Sequence, residues 1–101
     1  MKVIKVLVQK IESEMHDAEE YAKLASAVKE DYPELADTYL TLSKQEVTHV
    51  NMLHAQAERI IQEYRDSGND PPPAMMAVYE WQHEKMIDGM ARIKILQDLA
   101  R

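Results

Sequence analysis

Between Pro33 and Tyr64 the apolar positions recur at helical spacing. At about 100° per residue, Leu35, Tyr39, Leu42, Val50, Leu53, Ala57, Ile60 and Tyr64 fall within roughly 45° of Glu46, and His49 lies one turn on, near the edge of the stripe. This predicts a helix from about Glu34 to Arg65 with Glu46 and His49 turned toward the core. A second pattern, Ile4, Val8, Ile11, Met15, Ala18, Ala22 and Ala25, alternates four and three apart and predicts a helix over about 3–29 with a seam suited to an antiparallel bundle. A third, Met76, Tyr79, His83, Met86, Ile87, Met90 and Ile93, predicts a helix over about 74–100.

The breaks between these patterns carry their own signals. Pro33 cannot continue the first helix but suits the first turn of the next, so the connection is short and the first two helices are antiparallel neighbours. The second helix ends in Asp66-Ser67-Gly68-Asn69-Asp70 followed by Pro71, Pro72 and Pro73, with Gly68 placed as a C-terminal cap and the prolines as a stiff linker. One three-helix domain spanning 1–101 is expected. The 101 residues include only 2 Gly and 4 Pro, which agrees with an all-α chain built of long helices.

Charge and composition remove several classes of function. The net charge is -6, from 18 acidic and 12 basic residues, and no basic cluster with interleaved aromatics occurs, so a nucleic-acid partner is not expected. Without cysteine, any metal must be held by carboxylate or imidazole. Met1–Val8 reads as the first turns of a helix and not as a signal peptide, and no stretch approaches the apolar length of a membrane span. A cytoplasmic protein without membrane contact is the expectation.

The chemistry therefore centres on Glu46. An inward carboxylate costs several kcal/mol unless it is paired, protonated or bound to a cation. Glu46 and His49, three apart, project from one face about one turn apart, which lets the carboxylate and the imidazole meet the same ions. Folding about residues 31–32 brings Glu14 of the first helix level with residues 48–50. Glu19 stands as far from that helix's seam on the other side, and the pattern leaves both open. Glu80 and His83 repeat the Glu-x-x-His spacing, with Glu84 adjacent, and form a secondary candidate pair. If the third helix folds straight back, however, Glu80 lies roughly 20 Å along the axis from the Glu46 level. Carboxylates with imidazole suit iron or manganese and tolerate zinc.

Glu14, Asp17, Ala18, Tyr21, Leu24 and Ala25, followed by Leu35, Ala36, Tyr39, Leu42, Glu46, His49 and Leu53, resemble the first two helices of the ferritin-like superfamily, particularly its rubrerythrin-like and encapsulated-ferritin branches. The likeness covers about residues 10–55 and selects Glu14 over Glu19. It implies a di-iron carboxylate site with Glu14, Glu46 and His49 as metal ligands, and oxidation of ferrous iron by dioxygen or peroxide. Tyr39 or Tyr21 would act beside the site through a hydrogen bond or as an electron donor. A complete ferritin-like domain has four long helices and two half-sites, whereas this chain offers three helices and one half-site. The resemblance therefore implies a homodimer, or a higher homo-oligomer, in which the first two helices of two chains form the four-helix bundle. An encapsulin shell is the partner that the encapsulated branch implies, although Ile95–Arg101 reads as the end of the third helix and not as a docking tail.

Two other functions compete with a di-iron oxidase. A non-catalytic helical assembly protein would satisfy Glu46 and His49 through an ion pair or tyrosine hydroxyls, and a structural zinc or manganese module would melt on chelation without oxidising iron. The Met-rich face of the third helix, with Tyr79 and Trp81, is expected to be core or subunit interface. His16 and His54 are expected on the surface.

Overall fold

The computed structural model describes residues 2–101, which form three helices: α1, Lys2–Val28; α2, Pro33–Asp66; and α3, Pro73–Ala100. The fold is all-α, with no strand among the described residues. Proline at the first turn of α2 and of α3 starts each helix with φ already helical and removes one of the amide hydrogens that a helix start leaves orphaned. The α2 terminus closes through the Ser67 N–H donating to the Glu63 carbonyl and the Gly68 N–H donating to that of Arg65. Gly68 takes φ +85°, the left-handed position where a side chain is strained.

The chain runs up, down and up, so α2 is antiparallel to its neighbours and α1 lies parallel to α3. On α1 the buried line is Ile4, Val8, Ile11, Ala18, Ala22 and Ala25, and Met15 of the same seam is half-buried. The small alanines at the later positions let α2 approach closely. Ile4 and Val8 pack with Ala57, Ile61 and Met75 at one end, and Ile11 packs with Val50 and Met86 further along. Beyond them the buried Ser43 donates to the Ala18 carbonyl at 2.7 Å and accepts from Gln97 Nε2 at 2.9 Å, which ties all three helices in register.

Two expectations need correction. The buried line of α2 is Ala36, Ser43, Val50, Ala57 and Ile61, so Glu46 stands about 40° off its centre and His49 about 100° off. These two side chains face the α1–α2 seam and open solvent, not the core. On α3 the buried residues are Met75, Gln82, Met86, Ile93 and Ala100, while Ile87 is exposed. The α3 face is rotated from the one expected because that helix is apolar almost all round, so periodicity discriminates poorly between registers.

The α1–α3 seam is closed along its outer edge by polar contacts. Arg92 Nε donates to Glu19 Oε1 at 2.8 Å, Lys85 Nζ lies 3.7 Å from Glu12 Oε1, and Lys29 Nζ donates to the Leu99 carbonyl. Lys85 also sits over the exposed Trp81 ring, 4.2 Å from its centroid. No helix among the described residues is long and apolar enough to cross a membrane.

Candidate functional site

The two flanks of α1 have different neighbours. Glu12 and Glu19 are on the α3 side, where basic residues meet them. Glu14 is on the opposite flank and reaches α2. The short α1–α2 connection sets this pairing: Tyr32 N–H bonds back to the Val28 carbonyl and Pro33 begins the return helix, so Glu14 arrives at the level of Glu46 and His49.

Each of Glu14, Glu46 and His49 offers a ligand atom, and the three atoms lie within 4.8 Å of one another. His49 Nδ1 is 3.6 Å from Glu14 Oε2 and 3.6 Å from Glu46 Oε2. Those separations exceed hydrogen-bond length but suit atoms that share a cation about 2 Å from each. The side chains of Glu14 and Glu46 are only 13% and 17% exposed, and His49 is half exposed, leaving one open side. Glu46 Oε2 is itself buried and has no hydrogen-bond partner among the described residues. An unmet carboxylate oxygen in such a place is costly. Glu14 Oε1 has the exposed Lys10 Nζ at 3.5 Å, an i,i+4 contact from a solvated lysine, and its other oxygen is turned to His49.

No family model, curated protein or solved structure matches this chain. Two acidic oxygens and an imidazole nitrogen form a hard, anionic donor set that fits iron or manganese and accepts zinc.

Around this group, Leu7 and Tyr21 of α1 and Tyr39, Leu42, Leu53 and Ile60 of α2 are half-buried, and Leu35 is exposed. They make an apolar border along the α1–α2 groove on the side away from α3. Tyr21 and Tyr39 stack on each other across the groove, with ring centroids 6.2 Å apart. Tyr39 thus lies in the same groove, two turns of α2 before Glu46.

Glu19 is excluded from the group. Burial alone raises its carboxyl, but hydrogen bonds and charge from Lys23 and Arg92 outweigh that and hold it below the ordinary carboxylate value. Glu80 and Glu84 are exposed and His16 faces solvent. His83 does not join Glu46; it stacks with His54 and Tyr79 between α2 and α3. His54, expected on the surface, is largely buried there, its side chain 14% exposed. Its position, about 40° from Val50 on the flank of α2 opposite Glu46, was the one available signal.

Proposed function

We propose that this chain is a ferritin-like di-iron carboxylate protein that takes ferrous iron as substrate between two copies of itself and oxidises it with dioxygen or peroxide. The observation that carries the reading is the buried, unpartnered Glu46 Oε2 within ligand distance of Glu14 and His49. The groove around it has an apolar border that no helix among the described residues covers, and a second copy related by a two-fold axis would cover it. Pairing would bring four carboxylates and two imidazoles together, the donor inventory of a di-iron bundle site.

The chain's residues would act in three ways. Glu14 and Glu46 bind the cation and, as anions, stabilise ferric over ferrous charge, which favours loss of the electron to the oxidant. His49 supplies the nitrogen donor on the open side, and its half-exposed ring leaves that side accessible to a small oxidant. The acidic surface concentrates divalent cations near the groove. Tyr21 and Tyr39, stacked in the same groove, are placed to supply an electron or a hydrogen bond.

The test is anaerobic loading of the purified protein with ferrous iron, followed by exposure to oxygen or peroxide. About two irons per dimer and growth of ferric absorbance are expected, and Glu46→Ala should lose both while keeping its helical circular dichroism. Stoichiometric zinc or manganese without ferrous oxidation would replace the reading with a structural metal module. An intact oligomer without stoichiometric metal would replace it with an assembly protein.

A further inference from the structure

A second group of polar side chains lies between α2 and α3, apart from the Glu46 group. The His54 and His83 rings stack with centroids 4.8 Å apart and planes 18° from parallel, and Tyr79 stacks beside both at 6.0 and 5.9 Å. Glu58, one turn after His54, holds its Nε2 through a carboxylate contact. In the neutral ring Nε2 then carries the proton and Nδ1 is left with a bare lone pair. That Nδ1 is buried and has no hydrogen-bond partner among the described residues.

Gln82 provides an independent observation in the same layer. It is fully buried at 0% exposure, and neither its amide oxygen nor its amide nitrogen has a partner among the described residues. On the α3 wheel Tyr79 falls between Gln82 and His83, so the three form one continuous face. A buried amide and a buried imidazole lone pair left unmet in one layer are a large deficit for a small core.

We infer that His54 and His83, with Gln82, form a second cation site that takes a divalent transition metal of imidazole preference, such as zinc, cobalt or nickel. The Glu58–His54 contact is the arrangement by which a carboxylate orients a ligating histidine and sets its tautomer. His54 Nδ1 is the anchoring donor. His83, half-buried, brings a ring nitrogen to the same ion by turning about its Cβ–Cγ bond out of the stack, and the Gln82 amide oxygen adds a third donor. Tyr79 forms the wall: burial and the Glu58 charge both push its hydroxyl up, so it stays a neutral phenol. An open cleft lined by Glu58, Arg59, Arg65, Met76 and Tyr79 adjoins the layer at its Glu58 and Tyr79 edge. No ligand is shared with Glu14, Glu46 or His49, so this site stands whether or not the first binds iron.

The probe is zinc or cobalt alone, titrated by calorimetry into the full-length chain carrying Glu46→Ala and His49→Ala, which removes the first group from the count. One ion per chain is expected, with cobalt ligand-field absorption typical of nitrogen donors. Adding His54→Gln or His83→Gln should weaken binding by about 100-fold, and Glu58→Gln by about 10-fold. Should these variants fold poorly, the unsubstituted protein supplies the second measurement: zinc must shift the His54 Nδ1 resonance in a nitrogen-15 imidazole spectrum. Absence of binding in the double variant, or an unmoved His54 Nδ1 signal under saturating zinc, overturns the site and leaves the layer to bridging water.

Discussion

Two glutamates on α1 illustrate how residues of one type diverge by neighbour alone. Glu14 and Glu19 flank the same seam at similar angles, yet one meets a glutamate and an imidazole and the other meets Arg92 and Lys23. The Glu19 carboxyl is held below its ordinary value, so its protonation is harder in the folded chain than in the unfolded one. Its contribution is therefore full above the unfolded carboxylate pKa and disappears as pH falls through the lower, folded one. Because the pair is largely solvated, Glu19→Gln should cost no more than about 1 kcal/mol at neutral pH. Urea unfolding at pH 7 and near pH 3 checks this: the gap between wild type and variant should be present at the first pH and shrink at the second. Periodicity could not separate Glu14 from Glu19, because it reports distance from a seam and not which neighbour lies on which side. It also placed Glu46 at the centre of the α2 stripe. That stripe is broad because it combines residues facing the core, such as Val50 and Ala57, with residues facing the open groove, such as Leu42 and Ile60, and Glu46 lies at the boundary. His54 was missed for the complementary reason, since its partners are on α3 and a register across a proline linker is not written in either helix.

At the scale of elements, the all-helical class and the three helices were legible from spacing, prolines and Gly68. α1 was the clearest, since its seam separates small and large apolar residues from charged ones. α3 was the least legible, because apolar residues occupy nearly all its faces and the buried one is decided by contact. Gly89 is one such contact: a β-carbon there would sit 2.2 Å from Met15 Cε. Two effects then oppose each other in Gly89→Ala. Alanine gains about 1 kcal/mol of helix propensity over glycine, whereas Met15 must move its thioether end, which its flexibility makes inexpensive. The expected net change is under about 1 kcal/mol, with the α1–α3 seam intact. Gly89→Leu has no such escape, because a branched side chain would be driven into α1, and overpacking of this kind costs about 1–3 kcal/mol. Urea midpoints for the two variants should therefore separate, with alanine near wild type and leucine clearly lower.

The whole molecule is a rod of 57 × 18 × 17 Å with a Cα radius of gyration of 16.3 Å, against about 13 Å for a compact chain of this length. Its accessible surface of 6559 Å² exceeds the roughly 5,900 Å² expected for a compact monomer of this mass. Three helices packed side by side around one narrow core leave the α1–α2 groove, with its half-buried Leu42, Leu53 and Ile60, open along one side. If two copies close that groove over Glu46, an aspartate introduced at Leu42 would place an unpaired charge in the joint, and association should fail while each chain keeps its own core. Leu42→Asp should therefore sediment as a monomer, retain its helical content and lose stoichiometric iron. The necessary control is Ile95→Asp, at an equally apolar but 61% exposed position on the outer side of α3. It should remain a dimer and bind iron as wild type does. A dimer that survives Leu42→Asp, or dissociates only with Ile95→Asp, would move the joint to α3 and separate Glu14, Glu46 and His49 from any partner's ligands.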